Sequence, residues 1–200
     1  MADDLRRGSL GRNCFHLCVD MQRMFAEDTD WRLPWMAKVR PVVHRIAAHR
    51  PERTIFTRFT PAERPGTGVG LWREYYRRWE SMTIARLGRG MVDLVPELAA
   101  LVPPAAIIDK KQYSPWLRTE LQSFLYRREA DTLIVTGGET DVCVIATVLG
   151  AVDRGYRVIV VTDALCSSSD AAHDAAVRIY TERFNEQIET VASRVILTEW

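Results

Sequence analysis

Lysine, histidine and cysteine are scarce in this chain of 200 residues. Only three of its 27 basic residues are Lys, and it has four His and four Cys. The formal net charge of +1 excludes a strongly acidic tail or a polybasic face, so we expect no nucleic-acid partner. No apolar run approaches the roughly 18 residues of a membrane span, so we expect no membrane partner either.

The N-terminal stretch MADDLRRGSLGRN lacks the apolar core of a signal peptide. Cys14 and Cys18 lie four residues apart in a predicted strand, which separates them by about 13 Å. A disulfide requires Cα atoms within about 7 Å, so this pair cannot form one. Free thiols and the absence of a signal peptide predict a cytoplasmic protein.

Short apolar runs alternate with helical patterns along the chain. Six runs predict strands: Cys14–Val19, Thr54–Arg58, Ala106–Asp109, Thr132–Thr136, Arg157–Thr162 and Arg194–Leu197. Helical patterns cover 35–50, 117–128, 140–154 and most of 170–191. Apolar strands that alternate with helices are typical of an α/β three-layer sandwich with a mainly parallel sheet. Because we find no repeat or linker, we predict one domain over residues 1–200.

The segment from about 60 to 101 differs from this alternation and is predicted to be an insertion. It is rich in Arg and holds four large aromatic residues, Trp72, Tyr75, Tyr76 and Trp79. One interpretation is an excursion that packs on the sheet or on a partner subunit. The other is a lid over a pocket, where Arg58 or Arg73 would contact an anionic substrate.

Side chains that follow strands are candidates for chemistry, because parallel sheets place their sites at the carboxyl ends of strands. Cys143 follows the fourth strand and a Gly137–Gly138 turn, with Thr140 as the expected helix N-cap. The first turn of a helix favours a thiolate and offers N–H groups to an oxyanion. A buried structural cysteine is an equally weighted alternative.

A nucleophilic cysteine usually needs a base. The four histidines lie in the first strand, on a helix away from the strand ends, or after the fifth strand: His16, His44, His49 and His173. Only His173 could approach Cys143. A buried carboxylate can replace histidine, and Asp20 ends the first strand. Lys110 ends the third strand and could balance the charge. The alternatives are a helix cap or ion pair for Asp20 and a solvent-exposed side chain for Lys110.

Three motifs, in this order, resemble the isochorismatase-like cysteine hydrolase superfamily. This superfamily includes nicotinamidases, N-carbamoylsarcosine amidase, ureidoacrylate and biuret amidohydrolases, and isochorismatases. VDMQRMF resembles its first-strand motif, DKKQYSPW its Lys-x-x-Tyr-Ser-x-aromatic motif, and TGGETDVCV its nucleophile motif. The resemblance covers residues 14 to about 197, and the second motif selects Lys110 over Lys111.

The resemblance implies a triad of Asp20 as base, Lys110 as charge-stabilising and positioning residue, and Cys143 as nucleophile. It also implies a cis peptide between Gly138 and Glu139. The backbone N–H groups of Glu139 and Cys143 would form the oxyanion hole. The family chemistry is the hydrolysis of an amide or ureido C–N bond through a thioester, without a cofactor. Family members also self-associate, so a homo-oligomer is expected.

Differences between this sequence and particular members of the superfamily narrow the expected activity. Nicotinamidases carry an Asp-x-His metal motif after the second strand, whereas this chain has TRFTPAERP, so we expect no metal and disfavour nicotinamidase. Isochorismatases lack the nucleophilic cysteine, so vinyl-ether hydrolysis is a less favoured alternative, as is a non-catalytic binding or assembly role. Glu139 stands where a small or apolar residue is more usual. The candidate substrate-binding residues are Gln22, Phe25, Trp31, Arg58, Trp72 and Tyr113.

Overall fold

A computed structural model describes residues 4–200, so the first three residues of the N-terminal stretch lie outside it. Six strands form one sheet in the order β3-β2-β1-β4-β5-β6, and every neighbouring pair is parallel. The strands are β1 Cys14–Val19, β2 Thr54–Phe59, β3 Ala106–Lys110, β4 Thr132–Gly138, β5 Arg157–Cys166 and β6 Ile188–Val191.

Helices connect these strands on both faces of the sheet. They are α1 Arg23–Ala26, α2 Met36–His49, α3 Trp72–Arg78, α4 Ile84–Leu87, α5 Pro96–Ala99, α6 Leu121–Arg127, α7 Ile145–Val152, α8 Asp170–Arg178 and α9 Ser193–Glu199. Short 3-10 helices occupy Pro51–Arg53, Glu80–Met82 and Arg89–Val92, and π-type turns occupy Thr140–Val144 and Ile179–Arg183. None of the helices within residues 4–200 combines the length and the apolar character needed to cross a membrane.

The two-residue period of the strands divides the core into two layers. Phe15, Leu17 and Val19 of β1 pack in the cluster that includes α6, α7 and α8, whereas Cys14 and Cys18 pack in the cluster that includes α2 and α9. Because both faces are covered, the strands read as continuous apolar runs. This arrangement confirms the predicted three-layer α/β fold. All four cysteines are free and buried.

The C-terminal region corrects the sequence prediction. The sixth strand is Ile188–Val191, which pairs with β5, and the segment predicted as a strand at 194–197 lies within α9. Helix α8 therefore ends well before 191. At the start of α9, the Ser193 N–H and hydroxyl both donate to the Asp163 carboxylate, at 2.7 and 2.6 Å. The Asp163 carboxylate of β5 thus satisfies a backbone N–H at the helix N-terminus. Local strand propensity does not predict this long-range contact.

The strand order reverses between β1 and β4, so loops diverge there and leave a crevice at the carboxyl ends. The two strands approach closely at Gly137, whose φ is +107°. A Cβ at this position would lie 2.1 Å from the carbonyl oxygen of Val19, so only glycine fits. This close approach brings the residue after β1 next to the loop after β4.

Candidate active site

Asp20 follows β1 directly and occupies the left-handed region of the backbone, with φ +50°. Its N–H donates to the carbonyl and hydroxyl oxygens of Thr57 on β2, at 3.3 and 3.2 Å. The Thr57 hydroxyl in turn donates to Oδ1 of Asp20 at 2.6 Å. Backbone strain of this kind persists only where its surroundings enforce it, and here Thr57 holds both the backbone and the carboxylate. No local sequence pattern identifies Thr57 as part of this site.

Lys110, the last residue of β3, turns its ammonium group into the protein. Its Nζ lies 2.6 Å from Oδ2 of Asp20, and both side chains are 0% exposed. Nζ also donates to the carbonyl oxygen of Gln112 at 3.2 Å. Burial lowers the pKa of the Lys110 ammonium group. Asp20 and Cys143 together raise it by more, so the pKa lies above its ordinary value. The Lys110 side chain is therefore not exposed to solvent, and Asp20 forms an ion pair with it rather than a helix cap.

Cys143 completes the cluster from the other side of the crevice. Its Sγ lies 3.3 Å from Nζ of Lys110, and the residue is 7% exposed. Burial raises the pKa of the Cys143 thiol, Lys110 lowers it by less, and Asp20 raises it further. Burial therefore acts against the thiolate that a helix N-terminus would favour, and that thiolate stays a prediction. The cluster thus brings the Cys143 sulfur beside the buried ion pair of Lys110 and Asp20.

The loop before Cys143 bends sharply at a cis peptide bond between Gly138 and Glu139. The carbonyl oxygen of Glu139 accepts from the N–H groups of Val142 and Val144, at 3.1 and 3.0 Å. This turn places Cys143 in a π-type turn immediately before α7. The oxyanion hole assigned to the N–H groups of Glu139 and Cys143 stays a prediction.

Thr140 does not cap the helix as predicted. Its hydroxyl donates instead to the carbonyl oxygen of Cys166, at 3.1 Å, and lies 2.8 Å from Nδ1 of His173. The Tyr180 hydroxyl donates to the Thr140 carbonyl oxygen at 2.8 Å. His173 therefore contacts the turn that holds Cys143 from the side of α8, and it lines a separate cavity that Cys143 does not line.

Trp116 links the segment after Lys110 to the helix after Cys143. Its indole Nε1–H donates to the carbonyl oxygen of Thr147 on α7 at 2.9 Å. The ring lies so close to Gly150 that a Cβ there would be 2.2 Å from Cδ1. The tryptophan of the DKKQYSPW segment is therefore seated in a notch of α7 that glycine creates.

A pocket of about 120 Å³ opens over the sulfur of Cys143. Aromatic side chains form most of its wall, and its lining residues are Phe25, Trp31, Phe59, Tyr75, Tyr113, Glu139, Val142 and Cys143. Three of these, Phe25, Trp31 and Tyr113, are predicted substrate-binding residues. Phe59, Tyr75 and Val142 were not predicted individually. Tyr75 comes from the 60–101 segment, which therefore supplies part of the pocket wall.

The other predicted substrate-binding residues lie outside this lining. Trp72 packs behind the wall, with its ring centroid 5.0 Å from that of Tyr113. The buried Gln22 amide donates to the carbonyl oxygens of Phe59 and Val92, at 2.9 and 2.6 Å, and accepts from the Phe59 N–H at 2.7 Å. Gln22 thus braces the end of β2, and its polar groups are already used within the protein.

Arg58 points to the outside of the same sheet edge. Its guanidinium pairs with Asp109 at 2.7 Å and with Asp93 at 3.2 Å. Two carboxylates therefore compensate its charge away from the pocket lining. Among residues 4–200, no group of three or more His, Cys, Asp or Glu side chains is arranged to hold a metal ion.

Comparison with known proteins places this geometry in a family. The family model of the isochorismatase domain matches residues 14–192. The chain therefore belongs to the isochorismatase family. It is 30% identical over 115 residues to the "Uncharacterized isochorismatase family protein YwoC" of Bacillus subtilis (strain 168). That match covers 50% of this chain and 61% of the relative, so it spans about three fifths of that protein.

Two solved structures share the fold. A cysteine hydrolase from Pseudomonas syringae pv. phaseolicola 1448A has a TM-score of 0.84 at 24% identity, covering 100% of this chain and 98% of that one. N-carbamoylsarcosine amidase from Thermoplasma acidophilum has a TM-score of 0.70 at 20% identity, covering 90% of this chain and 96% of that one. At these identities the likeness establishes the fold of the whole chain.

Proposed function

We propose that the protein is a cofactor-independent cysteine hydrolase that cleaves the C–N bond of a small amide, carbamoyl or ureido compound. The observation that carries the proposal is the buried cluster of Asp20, Lys110 and Cys143 beneath a small aromatic pocket. The family membership and the names of the two structural neighbours, a cysteine hydrolase and an amidase, support the same reaction class.

In the first half of the proposed reaction, Sγ of Cys143 attacks the carbonyl carbon of the substrate. The thiol proton passes to Asp20. Its Oδ1 accepts from the Thr57 hydroxyl at 2.6 Å, and its Oδ2 lies 2.6 Å from Nζ of Lys110. Lys110, 3.3 Å from the sulfur, stabilises the negative charge that develops there. Asp20 then gives the proton to the leaving nitrogen as the C–N bond breaks, which releases ammonia or an amine.

In the second half, water hydrolyses the thioester. Asp20 takes a proton from the water as its oxygen attacks the thioester carbonyl. The C–S bond then breaks, and the proton returns to Sγ of Cys143. The product is a carboxylic or carbamic acid. In both halves, the N–H groups of Glu139 and Cys143 are the proposed donors to the carbonyl oxygen that becomes an oxyanion.

A screen for ammonia release across small amides, carbamoyl compounds and ureido acids tests the proposal. We expect Cys143→Ala to lower kcat/KM by at least about 10³-fold, because it removes the nucleophile. Cys166→Ala is the matched control, since burial also raises the pKa of that thiol, to about 12, and Cys166 does not line the pocket. With a slow substrate, mass spectrometry should find the acyl adduct on Cys143.

Full activity in Cys143→Ala would overturn the mechanism. Pyruvate release from isochorismate that survives thiol alkylation would favour the vinyl-ether alternative. If no compound yields ammonia and none acylates Cys143, the chain is better described as a non-catalytic member of its family.

A further inference from the structure

Aromatic side chains make up most of the wall of the pocket over Cys143. Trp31 lies at the centre of this wall, stacked against Phe25 with ring centroids 6.2 Å apart and 5.9 Å from the rings of both Phe59 and Tyr75. The faces of such rings carry negative potential and attract cations, most strongly where water is excluded. A set of rings around one small space therefore favours a positively charged group over a neutral group of the same shape.

The charged side chains at the pocket also favour a positively charged group. Glu139 is the acidic residue in its lining, and the lining contains no Lys or Arg within residues 4–200. The two nearby cations are already compensated, since Lys110 pairs with Asp20 and Arg58 pairs with Asp109 and Asp93. Among the lining residues, the uncompensated side-chain charge is therefore that of the Glu139 carboxylate.

The Glu139 carboxylate is also held in place. The Ser168 N–H donates to its Oε1 at 3.2 Å, and the Ser168 hydroxyl donates to the same oxygen. Its charge acts within the pocket: burial raises the pKa of Tyr113, another lining residue, and the Glu139 carboxylate adds to that rise. Glu139 thus contributes a fixed negative charge near the reactive sulfur.

We propose that this pocket selects small amides that carry a positive charge close to the reactive carbonyl, with Glu139 as the specificity-determining residue. The inference rests on the proposed hydrolase function and names the substrate class of the same site. The pocket volume of about 120 Å³ limits the cationic group to a compact one, such as a short alkylammonium or a trimethylammonium group. This inference differs from the anionic substrate expected from the sequence, because that expectation depended on Arg58 or Arg73, and neither lines the pocket.

A pair of amides with nearly the same shape tests the charge preference. Betaine amide and 3,3-dimethylbutanamide differ in one atom, a quaternary nitrogen in place of a quaternary carbon, and succinamate provides an anionic comparison. We expect kcat/KM for betaine amide to exceed that for 3,3-dimethylbutanamide by about tenfold or more, with succinamate the poorest of the three.

Glu139→Gln should reduce the betaine amide to dimethylbutanamide ratio by about tenfold, because it removes the charge and keeps an acceptor for Ser168. The ratio is taken within one variant, so a general loss of activity cancels. Ser168→Ala is the matched control, since it removes one hydrogen bond to Glu139 and leaves the charge. We expect that variant to retain the preference for the cation.

A binding measurement tests the charge preference separately from the proposed hydrolysis. Calorimetric titration of Cys143→Ala protein should give a lower Kd for betaine amide than for 3,3-dimethylbutanamide, with the difference lost on adding Glu139→Gln. If that binding preference is found and the unmodified protein cleaves none of the three amides, the hydrolase proposal fails for this substrate class and the charge preference stands. Equal binding and equal turnover of the neutral and cationic amides, or a ratio unchanged by Glu139→Gln, would overturn the inference alone.

Discussion

Two clusters of opposite charges lie side by side at the ends of β2 and β3, and they differ in exposure. The inner cluster pairs Lys110 with Asp20, both side chains 0% exposed. The outer cluster pairs Arg58, 23% exposed, with Asp109, 52% exposed. In the sheet, Arg58 is opposite Asp109, and the next position along places Phe59 opposite Lys110. One step along a strand reverses the face, so adjacent residues enter different environments. The comparison teaches that burial, rather than charge, distinguishes the candidate reactive cluster from the surface one.

The largest expected effect comes from breaking the inner cluster with Lys110→Met. An unpaired buried carboxylate would remain, so we expect a loss of about 3–5 kcal/mol in the free energy of unfolding. We also expect kcat/KM to fall by about 10²–10⁴-fold, because Asp20 and the developing thiolate lose their counter-charge. Urea unfolding and ammonia release measure the two effects.

The double variant Asp20→Asn/Lys110→Met separates stability from catalysis. Removing both charges avoids the unpaired carboxylate, so we expect much of the lost stability to return while activity stays absent. A single Lys110→Met variant that is as active as the unmodified protein would remove the distinction between the two clusters.

His16 gives the next largest expected effect. Like Lys110 it is buried, but its described partners are hydroxyl groups and not a charged group. Its ring nitrogens contact the hydroxyls of Thr136 and Thr54, at 2.7 and 3.3 Å. Burial lowers the pKa of His16 from 6.5 to about 3. The unfolded chain therefore binds more protons than the folded one between these values, so the stability due to a neutral His16 is present above pH 6.5 and is lost as the pH falls.

The size of this loss should be on the order of 2–3 kcal/mol between pH 6.5 and pH 4.5. Urea unfolding of the unmodified protein and of His16→Gln, across that range, isolates the contribution. We expect the stability difference between the two proteins to shrink as the pH falls. If the two proteins lose stability in parallel as the pH falls, burial does not lower the pKa of His16 as proposed.

Arg58→Ala should have the smallest effect. Exposed ion pairs are worth about 0–1 kcal/mol, so we expect a change of this size in the free energy of unfolding at low salt and almost none at about 1 M salt. Thermal or urea unfolding at the two salt concentrations measures it. A strong, salt-independent destabilisation, or a raised KM for succinamate, would show that the outer cluster does more than pair its charges.

The sequence was informative where a local pattern and a strand end coincide. Asp20, Lys110 and Cys143 each follow or close an apolar run, and the parallel sheet brings such positions to one edge. The buried ion pair of Lys110 and the raised pKa of Cys143 depend on burial by residues far away in the chain. No local pattern encodes that burial, which opposes the thiolate that a helix N-terminus would favour.

The pocket wall and the last strand show the same limit. Tyr75 reaches the pocket from a segment more than sixty residues before Cys143, so its place depends on long-range packing. At the C-terminus, two short apolar runs, 188–191 and 194–197, compete for the edge of the sheet. Pairing with β5 and the bonds from Ser193 to Asp163 decide between them, and neither contact is visible in strand propensity.

The packing of Trp116 against Gly150 connects two segments of the proposed reaction centre. The indole joins the segment that starts at Lys110 to the helix that starts after Cys143, through one hydrogen bond and one close contact. We therefore expect a displacement of α7 to shift the segment that starts at Lys110 in the same direction. The distance between the Lys110 ammonium and the Cys143 sulfur should then change less than either position does.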